Sequence, residues 1–174
     1  MIAVLHAESW RRHYRGAYSD SFLDGDVLAE RRTTWAERFA TPRDDVCSFV
    51  AEEDGAAVGF VYAVLDDHPT WGALVDNLHV AHSHQRQGIG GRLLGLAAAA
   101  VAERRPASPM YLWVLEQNLD AQAFYEHLGG VRVERCAVSP PGGVAGRLAG
   151  APHKLRYAWS ADDVAGRLSR TGQD

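Results

Sequence analysis

The chain has 174 residues, enough for one domain with a sizeable hydrophobic core, and we expect residues 1–174 to form a single domain. Its 47% hydrophobic and 23% charged residues are typical of an ordinary globular protein. With 18 basic and 22 acidic residues, the net charge of −4 argues against nucleic acid or an anionic membrane as the main partner.

The N-terminal segment has no apolar stretch of signal-peptide length, and the longest apolar run, residues 93–102, is too short to cross a membrane. We therefore expect a soluble, cytoplasmic protein without a membrane partner. Cys47 and Cys136 lie in apolar surroundings without metal-site spacing, which favours buried, reduced thiols.

The first part of the chain shows helical spacing of its apolar residues. One helix is predicted from Ile2 to near Gly16, and a second from Val27 to Phe39, with Asp24 or Asp26 as its cap.

The pattern then changes to β-rich segments at 46–52 and 57–65, which are joined by the hairpin signal Glu-Asp-Gly at 53–55. A third strand is predicted at 73–80. Strict alternation along it places Asp76, Leu78 and Val80 on one face and His79 on the other.

The second half alternates helices and strands. A helix at 88–105 is followed by a strand at 111–115, a helix from Asn118, and strands at 131–138 and 154–159. The Gly/Pro-rich stretch 139–152 has no periodic pattern, and the tail after Asp163 is expected to hold one helical turn and then fray. This order predicts an α/β fold with a mixed sheet.

The segment QRQGIGG, residues 85–91, stands between a strand and a helix. Free amides at a helix N-terminus attract phosphate, and Gly88, Gly90 and Gly91 would let a diphosphate approach the backbone, with Arg86 and Arg92 as ion partners. A Walker loop would need Gly-Lys-Ser/Thr, and a dinucleotide fingerprint would need glycine at position 93. Tight packing of the helix remains the alternative explanation of the glycines.

This segment and a second one, YLWVLEQNLDAQAFYEHLGG, together resemble the two core motifs of the GNAT superfamily of acyl-CoA-dependent N-acyltransferases in order and spacing. The matching positions are Leu78-His79-Val80, Gln85-x-x-Gly88-x-Gly90, Asn118-x-x-Ala121-x-x-Phe124-Tyr125 and Leu128-Gly129. Residues at both ends, such as Ser9-Trp10 and Arg156 to Trp159, resemble a bacterial branch of the family, so that the resemblance covers nearly the whole chain.

The resemblance implies an enzyme that moves an acetyl group from acetyl-CoA, its co-substrate, to a primary amine of a small molecule or peptide through a tetrahedral intermediate. It also implies a mostly antiparallel sheet, splayed at the cofactor-binding strand and flanked by about four helices. The cofactor-binding positions that it implies are Leu78, His79, Val80, Arg86, Gln87, Gly88, Ile89, Gly90, Gly91, Arg92, Asn118, Phe124 and Tyr125.

Two catalytic tasks concern protons. Tyr125 is the implied proton donor to the departing thiolate, since a phenol near pKa ~10 is protonated at neutral pH. For the proton of the amine, Asp76 is the first candidate, His79 the second and Glu116 the third; an ion pair between Asp76 and a surface arginine is the structural alternative.

The chain also departs from the family pattern. A strand usually precedes the first helix, a proline usually stands at the position of His82, and the glutamate that some members use as a base is Trp113. The missing glutamate motivates an alternative function, a non-catalytic acyl-CoA-binding sensor, and the glycines alone would fit a nucleotide-binding protein.

The remaining expectations concern metals and assembly. His79, His82 and His84 lack cysteine or carboxylate partners, so we expect no metal. The expectation for assembly is a homodimer formed through Trp159 and a sheet edge, because an exposed edge can pair with a second copy.

Overall fold

The computed structural model describes residues 1–172 and contains one six-stranded mixed sheet. Its strands are β1 Val46–Glu53, β2 Ala56–His68, β3 Gly72–Val80, β4 Met110–Leu115, β5 Val131–Ala137 and β6 His153–Trp159. They are arranged in the order β1-β2-β3-β4-β6-β5, and every neighbouring pair is antiparallel except the parallel pair β3–β4. The predicted α/β class with a mostly antiparallel sheet is confirmed.

Four helices of nine or more residues flank the sheet, and two shorter ones accompany them. The helices are α1 Ile2–His13, α2 Asp20–Asp24, α3 Val27–Ala40, α4 Ile89–Arg104, α5 Leu119–His127 and α6 Ala161–Asp163, the last continued by a π-helical turn Val164–Leu168. All the predicted helices and strands are present, whereas α2 has no counterpart in the prediction. Asp26 precedes α3 without capping it by a side-chain hydrogen bond, and Asp24 instead pairs with Arg15.

Alternating side chains of the central strands divide the core between the two faces of the sheet. On one face, α4 packs against a cluster that includes Val61, Leu112 and Tyr157. On the other face, Phe60 and Tyr62 pack with Trp35 of α3 and the apolar residues of α1. Burial of both strand faces explains why these strands read as continuous apolar runs.

Pairing between β3 and β4 ends early. Only Ala73–Val75 of β3 pair with Met110–Leu112 of β4. Beyond that point β4 stays paired with β6 and β3 with β2, so the two central strands separate and leave an opening in the sheet. This confirms the predicted splay.

The regular alternation of β3 is interrupted next to this opening. Tyr62 of β2 pairs with Asn77, but its neighbour Ala63 pairs with Val75. Asp76 is therefore the extra residue of a β-bulge, a feature that redirects a side chain.

The bulge overturns one prediction about side-chain direction. Leu78 and Val80 pack against the α4 side of the sheet, whereas the Asp76 carboxylate lies 2.5 Å from the Arg38 guanidinium of α3, on the opposite side. Asp76 does not share a face with Leu78 and Val80, because strict alternation holds only without a bulge.

The C-terminal segment is more ordered than predicted. After α6, Val164 and Leu168 are buried in the main core instead of fraying. The chain then crosses α4 so closely that a Cβ on Gly95 would lie 2.2 Å from the backbone nitrogen of Gly172. Thr171 similarly lies against Gly91, at 3.4 Å from its hypothetical Cβ.

The Gly/Pro-rich stretch also contains local structure, two short 3-10 turns at Pro141–Gly143 and Ala145–Arg147. Backbone hydrogen bonds from Ser19 to Arg147 and from Ala149 to Ala17 attach it to the segment between α1 and α2. The stretch therefore helps to cover the α1 side of the sheet.

Three further expectations concerned Trp159, the two cysteines and membrane-spanning helices. Trp159 is 1% exposed on the internal strand β6, so it is unavailable to a second copy. Cys47 and Cys136 are free thiols but only half-buried. Within residues 1–172, no helix combines the length and apolar character that crossing a membrane requires.

A buried histidine stands at the centre of the α1–α3 packing. His6 is 1% exposed, and its Nδ1 accepts a hydrogen bond of 3.0 Å from the indole N–H of Trp35. Burial lowers the pKa of His6 well below 6.5, with smaller contributions from His79, Arg31 and Arg38, so that the folded protein keeps it neutral.

The contact between Gly95 and the C-terminal segment predicts a context-dependent mutation. Gly95→Val should lower the free energy of unfolding by about 1–3 kcal/mol, since it overpacks a tight crossing. Gly146→Ala is the matched control, because a Cβ there meets nothing within 4 Å. Urea unfolding measures the effect of each mutation. If Gly95→Val lowered the free energy of unfolding by the same amount in a chain that ends at residue 170, the contact with the C-terminal segment would not be the cause.

Burial of neutral His6 predicts acid destabilisation. Below pH ~6.5 the unfolded chain binds a proton that folded His6 does not, so stability falls as the pH drops, by up to about 1.4 kcal/mol at pH 5.5. Urea unfolding at pH 7.5 and 5.5 should show a smaller difference in His6→Gln than in wild type. The same pH dependence in both proteins would rule His6 out as a source.

Candidate active site

The opening between β3 and β4 leads into a cavity of about 1160 Å³. The ends of these two strands, the turn before α4, the α5 helix and the C-terminal end of α1 form its walls. Most of the predicted site residues line it, namely Asp76, Leu78, His79, Val80, Arg86, Gly88, Gly90, Gly91, Asn118, Phe124 and Tyr125. Gln87, Ile89 and Arg92 are not part of the wall; Ile89 packs against the core instead.

The turn before α4 supplies backbone donors at one end of the cavity. Gly88 is the N-cap residue, with a left-handed φ of 81°, and no side chain caps the helix. The first amides of α4 therefore lack both intrahelical and side-chain partners. Their N–H groups, together with the positive end of the helix dipole, form an arrangement suited to an anion.

The neighbouring glycines have separate structural reasons. A Cβ on Gly90 would lie 3.3 Å from the Phe124 ring, which packs α5 against this turn. Gly91 and Gly95 instead face the C-terminal segment. Close packing thus accounts for Gly90 and Gly91, whereas a Cβ on Gly88 would meet nothing within 4 Å.

Tyr125 projects from α5 into the same cavity. It is 8% exposed, and its ring packs against Tyr157 and Trp159 at centroid distances of 6.0 and 6.2 Å. Burial, with a smaller contribution from nearby Tyr14, raises the pKa of Tyr125 above 10.0, so the phenol stays protonated. Among the residues that the structure describes, its hydroxyl has no hydrogen-bond partner.

Asn118 serves as the N-cap of α5. Its Oδ1 accepts a hydrogen bond of 3.2 Å from the amide of Ala121, as expected for asparagine at this position. Because Asn118 also lines the cavity, its amide NH₂ is positioned to donate to a bound ligand.

For Asp76 the sequence left two interpretations open, a base in the site and an ion pair with an arginine. Its carboxylate pairs with Arg38 and accepts a hydrogen bond of 2.7 Å from Asn77, yet it also lines the cavity. The closest approach of Arg38 and the Asn77 bond both fall on Oδ2. Within residues 1–172, no hydrogen bond reaches Oδ1.

His79 lines the cavity on its α1 side, with Nδ1 2.8 Å from the Ser9 hydroxyl. Burial, with smaller contributions from the nearby His13 and Arg31, lowers the pKa of His79 to about 3. Glu116, the third candidate base, lies outside the wall and pairs with Arg135 at 2.8 Å, which lowers the pKa of its carboxyl.

Sequence reasoning did not assign several residues of the wall to the site, and three of them are Ser9, Tyr14 and Trp113. Ser9 was not identified because its partner, His79, is 70 residues away in the chain. Tyr14 lines the cavity, and burial raises its pKa to about 12. Trp113, which marks the missing glutamate, lies in the wall beneath the Lys154 ammonium, 4.4 Å above its ring.

Possible metal ligands do not converge here. Across residues 1–172, no group of three or more histidine, cysteine, aspartate or glutamate side chains has the geometry of a metal site.

Comparison with known proteins agrees with this geometry. Residues 7–130 match the model of the acetyltransferase (GNAT) family. A probable N-acetyltransferase of Mycobacterium tuberculosis is 32% identical over 129 residues, which cover 72% of this chain and 70% of that protein.

Solved structures show the same fold. The PaiA N-acetyltransferase of Thermoplasma acidophilum, in complex with coenzyme A, superposes with a TM-score of 0.60 at 17% identity and 91% coverage of both chains. The ribosomal-protein-S18-alanine N-acetyltransferase of Escherichia coli gives 0.60 at 20% identity, covering 92% of this chain and 86% of that one. By sequence match, site geometry and fold, the chain belongs to the GNAT acetyltransferase family.

Proposed function

We propose that this protein transfers the acetyl group of acetyl-CoA to a primary amine of a small molecule or peptide by direct attack. The observation that carries the proposal is that the free amides of the α4 turn and the Tyr125 phenol open onto one cavity at the split of the sheet. An acyl-CoA needs both features, an anion site for its diphosphate and a proton donor beside its sulfur.

Binding of the donor follows from the unpaired backbone groups. The diphosphate accepts hydrogen bonds from the amides of residues 86–91, with Arg86 as an ion partner. The pantetheine arm lies along Leu78 to Val80, whose backbone edge no longer pairs with β4. Asn118 steadies the arm through its side-chain amide.

The reaction needs proton transfers at the amine nitrogen and at the sulfur. The amine first loses a proton to Asp76, directly or through water, because an alkyl ammonium with pKa near ~10 has no lone pair for attack. The neutral nitrogen then forms a bond to the thioester carbonyl carbon, the tetrahedral intermediate expels the sulfur, and the nitrogen releases its second proton to solvent. Tyr125 gives its proton to the departing thiolate and recovers one from solvent.

The proton-donor assignment predicts a separation of binding from chemistry. Tyr125→Phe should lower kcat about 10²–10⁴-fold and leave the Kd for CoA nearly unchanged, since only a hydroxyl is removed. Tyr157→Phe is the matched control, because the Tyr157 hydroxyl bonds to Glu126 outside the cavity wall. A thiol-release assay and calorimetry measure the two quantities.

Two outcomes would contradict this account. Wild-type activity in Tyr125→Phe would remove the donor role. Tight CoA binding by the wild type without turnover on any amine or peptide would favour the non-catalytic sensor.

The base assignment predicts rescue by pH. Asp76→Asn should lower kcat/KM strongly at pH 7, and the deficit should shrink toward pH 10 as the free amine becomes abundant. Asp120→Asn, at a second carboxylate of the cavity wall, removes the same charge and should lack this pH-dependent rescue. Parallel pH profiles for Asp76→Asn and wild type would show that another group accepts the proton.

A further inference from the structure

The two nitrogens of His79 have different surroundings. Nδ1 lies 2.8 Å from the Ser9 hydroxyl of α1. Nε2 has no hydrogen-bond partner among residues 1–172. It is not fully buried, so it keeps some accessible surface. Since His79 lines the cavity and its Nδ1 is engaged by Ser9, the geometry indicates that Nε2 is the nitrogen that faces the cavity.

The Ser9 hydroxyl indicates which nitrogen carries the proton. Two other hydroxyls in helices, those of Thr33 and Ser169, donate to the carbonyl one turn earlier, at 3.2 and 3.1 Å. Ser9 has no such bond, so His79 Nδ1 is the one acceptor for its hydrogen within the described residues. A neutral imidazole that accepts at Nδ1 carries its proton at Nε2.

The groups around His79 keep the ring neutral and fixed. On α1, the ring of His6 lies 4.5 Å away between centroids, and His13 is a second neighbour. Arg31 approaches from α3, and Phe60 of β2 packs at 5.3 Å. None of these is an acid, so burial and cationic neighbours together oppose an imidazolium.

We propose that His79 is a catalytic hydrogen-bond donor whose Nε2–H binds the thioester carbonyl oxygen and the oxyanion that forms on it, with Ser9 as the positioning residue that sets the tautomer. The proposal rests on the function proposed above and adds to it a donor for the oxyanion. His79 cannot accept the proton of the amine, because its cavity-facing nitrogen has no free lone pair.

A neutral donor suits this task. It stabilises negative charge as it develops on the oxygen and does not give up its proton, whereas an imidazolium would tend to do so. The remaining proton path is unaffected: the amine proton goes to Asp76, and the sulfur receives the proton of Tyr125. Loss of a single oxyanion donor typically costs about 10²–10³-fold in kcat.

Nitrogen-15 NMR of histidine in the full, unliganded chain tests the tautomer without any assumption about activity. His79 should show a protonated Nε2 and an unprotonated Nδ1 from pH 5 to 8, and Ser9→Ala should shift the resonances toward a mixture of tautomers. An Nδ1–H tautomer or an imidazolium in this range would overturn the proposal.

A second NMR arm tests the ligand contact without turnover. Acetyl-CoA should shift the Nε2–H resonance of His79 more than CoA does, because only acetyl-CoA brings a thioester carbonyl. Equal shifts from both ligands at saturation would contradict the contact. If acetyl-CoA binds as expected but no amine is acetylated, the proposed enzymatic function fails while this arm still decides the role of His79.

Kinetics of side-chain replacements supply the catalytic readout. His79→Gln places an amide donor near the position of Nε2 and should retain part of kcat, whereas His79→Leu should lose about 10²–10³-fold. The pH profile of kcat should keep its shape in both. If His79 were instead a general base, His79→Gln would lower kcat as much as His79→Leu does. The acidic limb of the pH profile of kcat would also change.

Ser9 is tested by conservative rescue. Ser9→Thr keeps a hydroxyl and should retain kcat, while Ser9→Ala should lower kcat with little change in the KM for acetyl-CoA. An equal loss of thermal stability and activity in both variants would reduce Ser9 to a packing role and overturn its part of the proposal.

Discussion

The candidate site depends on one backbone constraint, the early end of pairing between β3 and β4. After Val75 pairs with Leu112, the two strands diverge, and the free edge of β3 lines a cavity instead of a neighbouring strand. Unpaired backbone groups in a protein interior are costly unless a ligand or water satisfies them. A ligand with amide groups along its length, such as the pantetheine arm proposed above, would satisfy them in the manner of an added strand.

Each element around this opening contributes a different part of the site. The α4 turn presents amides at one end, α5 contributes Tyr125 and Asn118, and α1 packs behind His79. The bulge at Asp76 turns its carboxylate toward Arg38, which pairs with Oδ2. The C-terminal crossing at Gly95 buttresses α4 from outside and so fixes the turn that carries the amides.

Much of this arrangement was predictable from the sequence because local patterns determine it. Hydrophobic periodicity indicated the order of helices and strands. The resemblance of the motifs around Gly88, Gly90, Asn118 and Tyr125 to those of the GNAT family indicated residues that the fold brings to one cavity. Features that depend on long-range register were not predictable. The Asp76 bulge requires knowledge of how β2 and β3 pair, and the contact between Ser9 and His79 joins residues 70 positions apart. The packing of Gly172 on Gly95 is likewise invisible to any local pattern.

The most direct test of the central claim is a crystal structure of the protein with acetyl-CoA bound. The account predicts the diphosphate on the amides of residues 86–91, the pantetheine arm along the free edge of β3, and the sulfur within hydrogen-bonding distance of the Tyr125 hydroxyl. A cofactor bound outside the β3–β4 opening, or a thioester remote from Tyr125, would contradict it.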